Sequence, residues 1–193
     1  MPKKYFALLT GVAAVAALTA CSSSDPASPP SSSAATTQPS GAQPAAAGTE
    51  IGAAGSACAL PVSISVADKW KPSAIEGEPE LLCEISARPA GSIGFLRIYH
   101  KKGATDAKAA LTAYTAKPQY SDVKLSDIKA GSVAGEEVSY TIDSSGTKSP
   151  GLVFAVPVSD GTVLVSLDSL DDEIQQDNRP AYELAKSSLK VIA

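Results

Sequence analysis

The sequence is poor in residues that commonly carry chemistry. It holds one histidine, one tryptophan and three cysteines in 193 residues, and its aromatic content is 5%. With His100 as the single imidazole, a Ser-His-Asp triad has no other base to use, and no Gly-x-Ser-x-Gly elbow presents a serine to it. His100 stands at the end of a strand-like run beside Lys101 and Lys102, the setting of a solvated side chain. No Cys-x-x-Cys spacing exists, which leaves no thioredoxin-type redox pair and no zinc pattern. A glycine-rich phosphate loop is also missing, so nucleotide binding has no support. Lys101-Lys102-Gly103 reads as a solvated turn rather than an anion site. Asp168, Asp171, Asp172 and Glu173 form an acidic cluster without the glycine and alternating ligands of a calcium loop. Acidic residues near a helix start are favoured by its dipole in any case. The expectation is a non-enzymatic protein with no catalytic residue, metal or cofactor. A hydrolase using His100 and a nearby serine is the enzymatic alternative.

Excess positive charge is lacking too. Sixteen basic residues face 20 acidic ones, a net of -4. The apolar stretch Phe6 to Ala17 falls short of the roughly 20 residues that span a bilayer. It follows Lys3 and Lys4 and leads into Leu18-Thr19-Ala20-Cys21. That order of charge, apolar run and small residues is the pattern of a signal peptide, expected over residues 1–20. The last four residues resemble the lipobox of bacterial lipoproteins, which implies that Cys21 becomes the first mature residue. Its thiol accepts a diacylglycerol, with palmitate-type chains, before cleavage. Each buried CH₂ contributes about 0.8 kcal/mol, and two or three chains anchor stably where one does not. The expected location is the cell membrane, lipid-anchored, on its extracytoplasmic face. Cleavage removes two lysines, leaving 14 basic residues against 20 acidic ones. Such a chain is a poor partner for nucleic acid or for an anionic surface, so its hold on the membrane is expected to be the lipid on Cys21.

From Cys21 to Ala57 the chain is mostly Ser, Ala, Pro, Thr, Gly and Gln. It has too little apolar surface to offset its ordering entropy and reads as a disordered tether. Its reach as a flexible coil is roughly 30–35 Å. Residues 58–193 then have the size of one domain. Within it, Cys58 and Cys83 are the thiols left after lipidation. Outside the cytoplasm such a pair is expected to form a disulfide, with two buried free thiols as the alternative. Closing that loop contributes roughly 3.5 kcal/mol by restricting the unfolded chain.

Periodicity gives the elements. Val62, Ile64 and Val66 alternate with serines, the period of a half-buried strand. A turn-rich stretch from Lys71 to Glu80 follows. Leu81 to Ala87 and Ile93 to Tyr99 read as a hairpin about Arg88-Pro89-Ala90-Gly91. Ala107, Ala110, Leu111 and Tyr114 then fall on one helical face, with Thr105 or Asp106 to cap. Strands return at Val123–Leu125, Val138–Ile142, Leu152–Val156 and Val163–Leu167, the last two joined by Asp160-Gly161. Asp177 or Asn178, followed by Pro180, is expected to open a closing helix along Ala181, Leu184, Ala185, Leu189 and Ile192. Short connections between consecutive strands predict an α+β fold: a mainly antiparallel sheet of about six or seven strands covered by two helices. Trp70, in Asp68-Lys69-Trp70-Lys71-Pro72, either wedges into the core under the sheet edge or is exposed as a ligand contact, stacking on a sugar or entering lipid.

The lipobox, the Ser/Thr/Pro tether, the strand leading to Trp70-Lys71, and the run Gly161 to Leu167 entering Leu170-Asp171-Asp172-Glu173 together resemble the LpqN-type lipoproteins of actinobacterial cell envelopes. Ile93-Gly94-Phe95-Leu96-Arg97 is similar as well. The resemblance covers roughly residues 60–192. It implies a PsbP-like α/β/α sandwich, a place in the envelope and a binding or accessory role, with no catalytic residues to carry over. Two functions follow as expectations. One is a domain that binds an envelope protein or an apolar ligand. The other is a carrier of a lipid or other apolar small molecule, held in a cavity between the sheet and the alanine-rich helix face from Ala107 to Ala113.

Overall fold

A computed structural model describes residues 43–192. The signal peptide, Cys21 and the first half of the expected tether lie outside the described residues.

The folded unit begins earlier than composition indicates. Strand β1 (Ala47–Ile51) pairs antiparallel with β2 (Val62–Ala67). Ile51 is fully buried. The link between them is tied back on itself: Gly52 N–H donates to Cys58 O at 3.0 Å, and Leu60 N–H to Gly52 O at 3.0 Å. Gly52 has φ +118°, and a Cβ there would lie 2.0 Å from the Val62 carbonyl oxygen, so the turn requires glycine. The expected tether boundary at residue 57 is therefore corrected. One apolar side chain and a paired backbone place residues 47–57 in the domain despite their polar, small-residue composition.

The main sheet has seven strands: β3 (Lys71–Ala74), β4 (Leu81–Ser86), β5 (Phe95–Lys102), β6 (Tyr120–Ala130), β7 (Val133–Ser144), β8 (Thr147–Val158) and β9 (Gly161–Asp168). Their order is β3-β4-β5-β9-β8-β7-β6, and every neighbouring pair is antiparallel. The β4–β5 and β8–β9 hairpins stand where the alternation and turn residues put them. β3 arises within the stretch read as turns, and Pro72 is tolerated because β3 is an edge strand. A second, three-stranded sheet has the order β1-β2-β10, with β10 at Lys190–Val191.

Helix α1 (Ala107–Thr115) is capped by Asp106, whose Oδ1 accepts from Ala109 N–H at 2.8 Å. Helix α2 (Asp172–Ser188) starts before the predicted cap. Asp171 caps it instead, accepting from Ile174 N–H at 2.8 Å. Pro180 thus lies inside the helix, where it has no N–H to offer the Gln176 carbonyl. Asn178, one of the two expected caps, is buried at 1% exposure and serves another purpose.

The strand period of two divides the core between the two faces of the main sheet. One face carries Leu152, Phe154 and Val156 of β8 against Tyr182 and Ala185 of α2 and Val62 and Ile64 of β2. The other carries Val153 and Ala155 of β8 and Leu164 of β9 against Ala110, Leu111 and Tyr114 of α1. The result is an α+β sandwich with a helix on each face. Cys58 and Cys83, both in the first of these clusters, are joined by a disulfide with Cα atoms 5.9 Å apart.

Candidate functional site

Phe95 and Arg97 on β5, Ile142 on β7, Ser149 on β8 and Asp168 on β9 converge at one end of the main sheet. They form the floor of an open cleft of about 390 Å³. Ile93 and Gly94, just before β5, make one wall; Ser169, Leu170 and Ile174, at the start of α2, make the other. Two apolar side chains stand out from its rim, Leu170 at 65% exposure and Ile93 at 55%.

The polar floor is built by registry. Tyr140, Gly151 and Asp168 are opposite one another on β7, β8 and β9. A Cβ at Gly151 would lie 2.2 Å from the Tyr140 ring. Its absence lets the ring cross the middle strand, and the Tyr140 hydroxyl donates to Asp168 Oδ1 at 2.6 Å. Arg97 Nη1 lies 3.8 Å from Asp168 Oδ2, and Arg97 Nε donates to Glu84 at 2.9 Å. The guanidinium also sits 5.4 Å from the Phe95 ring centre. Arg97 is thereby held between two carboxylates and an aromatic face.

Behind this floor lies a tyrosine cluster. Tyr120 and Tyr140 stack with ring centres 4.7 Å apart, and Tyr114 meets Tyr99 and Tyr140 edge-on. Burial, with the Asp168 charge beside it, pushes the Tyr114 and Tyr140 phenols well above their usual range. They stay neutral hydrogen-bonding groups. The alanine-rich face of α1 is partly closed by packing, and an open pocket of about 420 Å³ remains along Ala109, Ala110 and Ala113, bounded by Glu80, Lys101 and Ala104. Ala107 and Ala110 pack with Leu111 and Tyr114 against Val138 and Tyr140.

The walls are fixed by α2. Asn178 Nδ2 donates to the Ile93 carbonyl at 2.7 Å, and its Oδ1 accepts from the Ser92 hydroxyl at 3.0 Å. Ser169 N–H donates to Pro150 O at 3.3 Å, while its hydroxyl is buried without a hydrogen-bond partner.

The residues singled out in the sequence are dispersed. Trp70 is half buried, packed against Ala67, Ala181 and Leu184, and lies outside the cleft. His100 is not solvated: it is 6% exposed, with Nε2 3.1 Å from Asp160 Oδ1 but without hydrogen-bond alignment. Its neighbours Leu96 and Ile98, four and two residues earlier on β5, face the α2 side of the core, and His100 follows them inward. Lys101 pairs with Glu80. Of the acidic cluster, Asp171 caps α2, Asp172 and Glu173 stand in its exposed first turn, and only Asp168 enters the cleft floor. Local periodicity did not mark Arg97, Ser169 or Ile93 as site residues, because their partners lie on other strands or on α2.

A family model described as an uncharacterised lipoprotein matches residues 28–189. No curated protein sequence matches the chain. Among solved structures, the solution structure of cyanobacterial PsbP from Synechocystis sp. PCC 6803 superposes with a TM-score of 0.57 at 8% identity, over 76% of this chain and 94% of the other. A crystal structure from Bacteroides thetaiotaomicron has a TM-score of 0.51 at 11% identity, over 76% of this chain and 49% of the other. The fold is PsbP-like.

Proposed function

The chain belongs to a family of uncharacterised lipoproteins, and from that premise we propose that it is a non-enzymatic binding protein of the cell envelope, held on the extracytoplasmic face by lipid on Cys21. Lipoprotein membership implies anchoring through lipid, and the lipobox supplies the attachment point. The LpqN-type envelope lipoproteins of actinobacteria are the relatives this reading favours. The observation that carries the binding role is the cleft at the end of the sheet. Its rim exposes Ile93 and Leu170 to solvent, and its floor spends Arg97 on held, oriented contacts. Apolar walls around a few placed polar groups are the usual make-up of a recognition site.

A second reading, a carrier of an apolar small molecule, is favoured by the volume of this cleft, which falls within the range of small-molecule sites, ~300–1,000 Å³. The pocket along Ala109, Ala110 and Ala113 of α1, about 420 Å³, is the second place for such a ligand.

The test begins with a Cys21→Ser variant of the full chain in a bacterium that makes lipoproteins. With residues 1–20 replaced by an ordinary secretory signal peptide, the variant is expected in the soluble extracytoplasmic fraction, and the wild type in the membrane fraction. Because lipidation precedes cleavage, the wild type is also weighed: one bearing no acyl mass at its N-terminal cysteine refutes Cys21 as the anchor. The released protein is then weighed by native mass spectrometry. An added mass that disappears on denaturation, and on Leu170→Ser, supports the carrier reading. A bare mass, two hydrogens short for the disulfide, counts against it and favours a protein partner.

A further inference from the structure

We propose that the cleft takes a basic segment of a partner protein, seating one large apolar side chain between Ile93 and Leu170 while flanking lysines or arginines meet the carboxylates at the start of α2. This rests on the cleft being the binding site and adds the chemistry of the partner. Two independent observations carry it. The first is charge placement. Leu170 and Ile174 line the cleft, and the three residues between them, Asp171, Asp172 and Glu173, are all acidic and exposed. Asp177 is exposed one turn further on. The helix dipole accommodates the first-turn acids, and Asp171 is committed to the cap. Asp172 and Glu173 have no ion-pair partner among the described residues, although the same helix pairs Glu183 with both Arg179 and Lys186. An apolar slot bordered by unpaired carboxylates selects a cationic neighbour and disfavours an anionic one.

The second observation is Ser169. It is 6% exposed, its hydroxyl has no hydrogen-bond partner, and it lines the cleft between Asp168 and Leu170. An unpaired buried hydroxyl costs free energy that a donor or acceptor from outside would recover. A peptide has a backbone N–H and C=O beside every side chain, so a segment whose apolar residue enters the slot carries both to the wall that Ser169 lines. A simple hydrocarbon chain brings neither.

The experiment uses isotope-labelled Cys21→Ser protein, exported behind an ordinary secretory signal peptide in place of residues 1–20 and released by its cleavage, and two end-capped synthetic peptides. One has a phenylalanine flanked by two lysines on each side; the other has glutamates in place of the lysines. The lysine peptide is expected to shift the amide resonances of Ile93–Phe95 and Ser169–Ile174. Its affinity is expected to fall roughly three- to tenfold in Asp172→Asn/Glu173→Gln, a change at exposed positions that keeps the Asp171 cap, and to fall as salt is raised. The glutamate peptide is expected to leave these resonances in place. Equal binding of both peptides, or shifts elsewhere on the domain, overturns the proposal. A short-chain alkyl maltoside below its micelle concentration separates the two levels of the reading. If it shifts the cleft and the lysine peptide does not, the cleft binds an apolar ligand and the basic partner is refuted. If neither shifts it, the binding role of the cleft fails as well.

Discussion

Asn178 shows how one side chain can hold a wall of the site. It sits in the seventh position of α2, fully inside the fold, and both ends of its amide are used on the Ser92–Ile93 segment. Gly94, at φ +143°, leaves it room; a Cβ there would lie 2.5 Å from Asn178 Nδ2. Replacing Asn178 by Ala strips the Ile93 carbonyl of its donor. We expect a loss of about 1–3 kcal/mol in unfolding free energy, read by denaturant titration, with faster amide exchange confined to residues 92–95. Exchange that stays slow there would show that the wall is held without the amide. From sequence, the same asparagine two residues before Pro180 reads as a helix cap, because Asn and an early proline are common cap chemistry. Its actual contacts lie 85 and 86 residues away, beyond the reach of any local pattern. Arg97 and Asp168 are hidden for the same reason: 71 positions apart, they meet only through the register of β5 and β9.

Elements whose information is local were legible. The Asp160-Gly161 hairpin, the β4–β5 hairpin and α1 with its Asp106 cap all have their turn or cap chemistry within a few residues of the pattern that it closes. β1 has no such signal. Only Ile51 of its five residues is buried, and the strand exists because β2 offers a partner. Starting the protein at residue 58 is therefore expected to be harmful. It removes the burial of Ile51, about 1.5–3 kcal/mol, and leaves one side of β2 unpaired and prone to association. Protein starting at residue 43 should have the higher thermal midpoint and run as a single species in gel filtration. Equal midpoints would mean that β1 contributes nothing to the domain. At the far edge of the main sheet, β6 is protected differently, with Asp122, Lys124, Asp127 and Lys129 along its exposed length.

On the scale of the whole molecule, the domain keeps three phenols out of water. Tyr114 and Tyr140 on the α1 face are pushed up by burial first and then by Asp168. Tyr182 on the α2 face is pushed up by burial and by Glu137, to which its hydroxyl donates at 2.9 Å. Below about pH 10 these phenols are protonated whether the chain is folded or not, and their contribution to stability is complete. Above it, the unfolded chain ionises while the folded chain resists, so stability is lost as pH rises. An alkaline titration should show the tyrosinate absorbance of these three buried phenols appearing together with the loss of circular dichroism, after that of the half-buried Tyr99 and Tyr120. Absorbance of the three that rises gradually while the fold persists would mean that they ionise in place.

The disulfide also sets a limit on mechanical load. A protein anchored through lipid ahead of its folded domain receives any pull from its N-terminal side. Such a pull reaches β1 first, and the pairs between β1 and β2 can peel away one after another. At Cys58 the peeling meets a covalent bond to Cys83 on β4, in the main sheet. Force is passed there from the small sheet to the seven-stranded one, so the chain can pay out to Cys58 while the cleft, on β5 to β9 and the start of α2, keeps its shape.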